Sequence, residues 1–186
     1  MRAIWILASN TFREVIRDRI LYALLMFAVL LIGLSLALGQ LSFAEQARIS
    51  AIFGLGGIHL VAVALAIFVG SNLVYKEIEK KTIMTILVRP IGRTQFIFGK
   101  ALGLGLVIVT MIFGLSLILA LVFWGLNKPV DGRFALVLTG LLAESFVLLG
   151  VTILFSMITK PLLVVCFSFG IFLIGHWQGS LTYFAA

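Results

Sequence analysis

Residues 101–124, ALGLGLVIVTMIFGLSLILALVFW, run for 24 positions without a charged side chain. A helix rises about 1.5 Å per residue, so about 20 apolar residues cross a hydrocarbon layer about 30 Å thick. This run is long enough to cross. It is also too evenly apolar to be one face of a water-soluble helix. Four other stretches read the same way. Ile20–Gly39 has no charge. Ala51–Tyr75 is broken only by His59 and Asn72. Ala135–Thr159 holds one acid, Glu144, and Leu162–Thr182 holds His176. The runs are continuously apolar rather than alternating, which predicts helices and not the strands of a barrel. The fold expected is all-α: a single polytopic helical membrane domain over residues 1–186.

Composition agrees. Of 186 residues, 62% are apolar and 11% charged. A soluble domain carries about 25% charged residues, so a water-covered globule or a disordered chain is excluded. A lone cysteine, Cys166, excludes an internal disulfide or a cysteine-rich metal site. The net charge of +7 could suit nucleic acid. Its distribution points instead to a membrane and to no nucleic-acid partner. Arg2, Arg13, Arg17 and Arg19 precede the first run. Lys76, Lys80, Lys81, Arg89, Arg93 and Lys100 lie between the second and third, and Lys160 precedes the fifth. Only Arg48, Lys128 and Arg133 fall on the other side. The excess predicts a cytoplasmic N-terminus and a cytoplasmic 76–100 loop. Ser42-Phe43-Ala44 has cleavage-site character, but the preceding apolar run is longer than the about 7–15 residues of a signal core. Five spans would leave the C-terminus outside, four residues past Thr182. The expectation is that a last span is missing.

Two cytoplasmic stretches carry more information. In residues 1–19, Ile4, Trp5, Ala8, Phe12, Val15 and Ile16 recur at helical spacing. Arg13, Glu14, Arg17 and Asp18 take the opposite side. This predicts an amphipathic elbow helix against the inner leaflet, or a basic flank that only fixes orientation. The 76–100 loop, KEIEKKTIMTILVRPIGR over its first 18 residues, is too long for a turn and too apolar for a solvated loop. Glu77 and Lys81 form an i,i+4 pair in the favoured order. Ile78 and the Ile83–Val88 cluster describe a short surface helix, stopped at Arg89-Pro90. It is either an interfacial helix with snorkelling bases or a docking surface for a cytoplasmic partner.

Gly70-Ser71, Tyr75 through Ile83, Arg89-Pro90-Ile91 and Gly99-Lys100, with the opening Arg2–Trp5 and Thr11–Asp18, resemble ABC-2 type transporter permeases. The nearest branch includes multi-copper-enzyme and nitrous oxide reductase maturation permeases. Family members usually have six spans where this chain supplies five. The resemblance implies a type V exporter-like transmembrane domain, working as a homo- or heterodimer with an ABC ATPase subunit. It implies that Glu77 and Glu79, with Lys80, Lys81, Thr82 and Arg89, form the contact with that ATPase. ATP and Mg²⁺ would be bound by the partner. This chain would bind no cofactor and would not be an enzyme.

The residues themselves lead the same way on the last point. No phosphate-binding loop is present. The nearest string, Thr94–Ala101, has Thr94 in place of the first Gly and Ala101 in place of the Mg²⁺-binding Ser or Thr. Gly103-Leu104-Gly105 lies inside an apolar run rather than after a strand.

Within the spans, Glu144 lies about 14 Å and His59 about 12 Å from the outer ends of their runs. Equal depth makes them a candidate pair, and an acid there should face the bundle interior. His59, Glu144 and His176 are either a pathway lining or interhelical glue. As a metal set they are thin, lacking close spacing. Gly99 and Gly103 form a small-xxx-small step. Gly54, Gly56 and Gly57 are expected to soften the start of the second span; glycines in such helices serve close packing or, less often, a hinge. Two other functions compete with a permease: a secondary transporter or channel relaying protons through Glu144 and His59, and an intramembrane enzyme. The last lacks HExxH, GxSxG or paired aspartates.

Overall fold

The computed structural model describes residues 2–40, 46–79, 93–125 and 132–184. They form helices α1 (Arg2–Ile16), α2 (Arg19–Gln40), α3 (Gln46–Glu79), α4 (Arg93–Gly125), α5 (Gly132–Ser156) and α6 (Pro161–Phe184). No strand occurs among the described residues. By length and composition, Arg19–Gly39, Arg48–Asn72, Thr94–Gly125 and Phe134–Ser156 can each cross a membrane. The apolar part of α6 described in this way, Pro161–Trp177, is shorter.

Why the helices begin and end where they do is visible at two corners. The last turn of α1 tightens, with Arg17 N donating to Glu14 O at 3.2 Å and Asp18 N to Val15 O at 2.9 Å. Asp18 Oδ1 then accepts from Ile20 N at 3.1 Å, capping the otherwise orphan amides that open α2. At the α5–α6 corner, Ile158 N and Thr159 N both donate to Phe155 O, at 3.0 and 2.9 Å. Pro161 then opens α6, a position where its missing N–H costs nothing.

The core is built around α3. It packs against α2, α4, α5 and α6, while α1 packs on α4. Of α3's membrane-length window 56% is buried, against 22% for α2 and α5, which makes α3 the central rod. Ile58, Val61, Leu65 and Ala66 of α3 meet Leu104, Val107, Ile108 and Leu119 of α4 in one continuous cluster. Outward, the helices show Met26, Phe113, Leu136, Val147, Leu154 and Ile174, all largely exposed. Such a surface belongs in lipid, since water would leave a very large apolar patch unpartnered. Trp124 near the end of α4 and Trp177 near the end of α6 are exposed at one end of the bundle, and Trp5 of α1 at the other. Tryptophan favours such positions at membrane–water boundaries.

Three expectations change. First, residues 76–79 continue α3 and 93–100 open α4, so these parts of the 76–100 loop are helix. The remainder, 80–92, lies outside the described residues, and with it Lys80, Lys81, Thr82, Arg89 and the expected surface helix. Second, the apolar face of α1 is only partly covered by the protein. Ala8, Thr11 and Val15 are buried against the protein, whereas Trp5, Ile6 and Ile16 are exposed. Spacing showed that α1 had an apolar face, but not that a helix would claim part of it. Third, the glycines of early α3 sit within unbroken helix. Gly54 lies against Leu119 of α4 and Gly57 against Leu31 of α2.

Candidate functional site

α3 supplies His59 from a stretch rich in small residues, Gly54, Gly56 and Gly57, which lets neighbouring helices come close. α5 supplies Glu144 from one turn past Leu141, beside the buried Ser145. Their side chains meet: His59 Nε2 is 3.0 Å from Glu144 Oε2. The two atoms are at ion-pair distance but lack the alignment of a hydrogen bond, and Nε2 itself is fully buried. Of the two side chains, Glu144 is the more exposed, at 37% against 20%.

α6 completes the cluster. The ring centroids of His59 and Phe172 are 5.7 Å apart, edge to face. Those of His59 and His176 are 5.8 Å apart, and Phe172 stacks on His176 at 5.6 Å. The last pair is an i,i+4 neighbour pair on one helix face. Three rings therefore close a triangle, with a carboxylate behind the imidazole of α3. Thus the structure brings His59, Glu144 and His176 to one place. Asn72 stands apart, its Nδ2 donating to Phe68 O of its own helix at 3.0 Å.

From this cluster a cavity of about 720 Å³ runs between α3 and α6. Leu60, Val63 and Ile67 line it from α3, and Val165, Cys166 and Phe169 from α6. Further along, Gly70 of α3 approaches Thr152 of α5, where an added Cβ would come 3.0 Å from Thr152 Cγ2. The hydroxyls of Thr152 and Ser168 are 3.2 Å apart, and Thr152 Oγ1 donates to Leu148 O at 2.7 Å. This small polar knot ties α3, α5 and α6 together below the cavity.

A second junction lies where α4 leaves the 80–92 segment. Gly99 and Gly103 are one helical step apart and both face α1. A Cβ on Gly103 would stand 2.7 Å from the Ala8 carbonyl oxygen, and one on Gly99 2.8 Å from Leu7 Cβ. Lys100, between them, is buried to 3% exposure with Nζ 5.6 Å from the centre of the Phe96 ring. Sequence reasoning counted Lys100 as a topogenic charge and as part of the Gly99-Lys100 resemblance, not as a buried residue. The signal available was its place between two glycines at close-packing spacing. Phe172 was also missed, though it precedes His176 by one turn.

The last two residues of α3 before 80–92 include Glu79, with Glu77 two positions earlier, so both lie at the end of the longest helix. Among the described residues, no three His, Cys, Asp or Glu side chains group closely enough to hold a metal ion.

A bundle of described helices with lipid-facing flanks and a polar cluster inside is that of a polytopic membrane protein. The comparison with known families agrees: a profile described as "ABC-2 family transporter protein" matches residues 15–177, and the chain belongs to that family. Among curated proteins, it is 32% identical over 114 residues to a probable ABC transporter permease protein NosY of Stutzerimonas stutzeri, covering 58% of this chain and 41% of that one. It is 30% identical over 159 residues to the protein of the same description in Pseudomonas aeruginosa, covering 81% of this chain and 56% of that one. The chain thus spans about half the length of the curated relatives it matches.

Proposed function

We propose that this chain is the permease part of an ATP-binding cassette exporter, driven by a separate ATPase subunit and paired with a second permease copy. The observation that carries the reading is the length of α3 and α4. With 34 and 33 residues, they are about 50 Å long, well beyond the about 30 Å of a bilayer core. Past the apolar runs 51–75 and 101–124, helix continues toward 80–92 through residues 76–79 of α3 and 93–100 of α4. On the cytoplasmic side predicted by the Lys and Arg excess, those turns form two levers. Glu77 and Glu79 end one lever, and Lys80, Lys81, Thr82 and Arg89 follow in the connecting segment. The acids and bases offer a partner specific charges rather than a uniform basic coat.

Force applied at this segment has a route inward. α4 is locked to α1 through Gly99 and Gly103, and α1 turns into α2 at the capped Asp18 corner. α3 carries His59 into the polar cluster. A shift of α3 against α5 and α6 would part His59 from Glu144 and reshape the cavity between α3 and α6. In this reading His59, Glu144 and His176 line the translocation path, and ATP and Mg²⁺ are bound in the partner. The protein resides in the bacterial inner membrane with its N-terminus in the cytoplasm.

The test is Glu79→Lys in the full-length protein, co-expressed with a candidate ABC ATPase subunit that co-purifies with the unaltered protein. The reading expects co-purification of the ATPase, and its stimulation by the permease, to be lost. Retention of both would overturn it. The 3.0 Å contact between His59 and Glu144 also favours a second reading, a proton-relaying secondary transporter or channel. Proton-gradient-driven flux in vesicles holding this protein alone would select that reading instead.

A further inference from the structure

We infer that the exposed face of α1 is a docking surface for anionic phospholipid, with the groove at Trp5, Ser9 and Arg13 as the seat of the headgroup. This surface is independent of the permease reading. Gly99 and Gly103 of α4 stand on either side of Ala101, where the charge-free run 101–124 begins. Both glycines meet α1, Gly99 at Ile4 and Leu7 and Gly103 at Ala8 and Thr11. α1 therefore lies at the level where hydrocarbon gives way to headgroups. Its other face is uncovered. Trp5, Ile6 and Ile16 are exposed there, and so are Arg13 and Arg17. At about 100° per residue, Trp5, Ser9 and Arg13 form one row, with Ile6 and Asn10 beside it. These five residues, with Leu7, line an open groove of about 320 Å³.

The mixture of side chains selects the occupant. Arginine stays charged throughout the physiological range, so the sign of this surface needs no assumption about protonation. Arg13 and Arg17 are like charges at i,i+4 spacing, and an anion between them relieves their repulsion. Arg19 follows, also exposed, at the corner. Of the nearby acids, Asp18 accepts from the Ile20 amide, and Glu14 lies about 100° round the helix from Arg13. A guanidinium binds phosphate through two parallel N–H donors, and Ser9 and Asn10 bring hydroxyl and amide donors to the same groove. A soluble acidic partner would answer the arginines and leave Trp5 and Ile6 against water. A zwitterionic lipid would cover Trp5 and Ile6 and leave the positive charge in excess. An anionic phospholipid meets both, its phosphate at Arg13 and its acyl chains along the Trp5–Ile16 edge. Tyr22, exposed one turn into α2, extends the same aromatic boundary.

The test reads the lipid around Trp5. The purified full-length protein is placed in phosphatidylcholine nanodiscs holding a minor fraction of brominated phosphatidylglycerol, or the same fraction of brominated phosphatidylcholine. Bromine quenches indole fluorescence on contact, and the signal of Trp5 is the difference from Trp5→Phe. The expected result is phosphatidylglycerol enriched at Trp5 about fivefold over its bulk fraction, which is what one base supplies at an anionic surface. Added salt should reduce the enrichment. Arg13→Gln combined with Arg17→Gln should lower it to the bulk value, and Arg13→Lys combined with Arg17→Lys should keep most of it. Equal quenching by the two lipids, or enrichment unchanged in the Gln variant, overturns the inference. So does loss of enrichment on adding inorganic phosphate at matched ionic strength, which would give the groove to a soluble anion. Glu79→Lys leaves α1 unaltered, so the ATPase test and this one fail separately.

Discussion

At the scale of single residues, Gly103 has the least freedom. Its missing side chain lets the Ala8 carbonyl and Thr11 Cβ of α1 approach to 2.7 Å of where a Cβ would stand. Backbone is the nearest obstacle, so no rotamer change can relieve a larger residue. Gly103→Val should lift α1 from α4 at a cost of about 1–3 kcal/mol, the usual range for overpacking. Limited trypsinolysis checks this: cleavage after Arg13 and Arg17 should speed up, while Gly114→Val, whose site is open, should leave it unchanged. The glycine step was legible in the sequence, because spacing alone marks a close approach. Its partner was not, since nothing local says which helix will come near. The same division holds at the polar cluster. Counting residues from span ends set His59 and Glu144 at one depth, and they lie 3.0 Å apart. That His176 and Phe172 join them depends on how α6 packs, which one-dimensional depth does not give.

At the scale of elements, hydropathy located the membrane-length helices because lipid demands internally satisfied backbone over a fixed thickness. Their ends were harder. The apolar run ends at Ala51 and Tyr75, yet α3 extends past both to take in Arg48, Lys76 and Glu79, because helical bonding continues past the apolar boundary. The α1–α2 corner is set by chemistry that can be read locally. Asp18 caps α2 through Ile20 N at 3.1 Å, and removing a cap of this kind costs about 0.5–2 kcal/mol. Asp18→Ala should lower unfolding stability in detergent by that amount, and Asp18→Asn should retain most of it. α1 also shows where patterning misled. Its apolar face divides between a buried stripe through Ala8 and Val15 and an exposed one through Trp5 and Ile16. Periodicity counts apolar residues but does not say which solvent or surface each will meet.

At the scale of the whole molecule, a central α3 collects the packing of α2, α4, α5 and α6 and continues to the edge of the 80–92 segment. This arrangement suits a machine in which one rod is pushed from the cytoplasm and its neighbours respond. The chain belongs to the ABC-2 family. That a distinct motor grips the α3–α4 connection is the claim on which the functional account rests. Site-directed photo-crosslinking tests it most directly. A photoreactive residue is placed at Glu79 of the full-length protein, and separately at Leu136, which is exposed near the other end of the bundle. Irradiation in native membranes should give an adduct between position 79 and a nucleotide-hydrolysing subunit, and none from position 136. No adduct at 79, or equal labelling from both positions, would contradict the account.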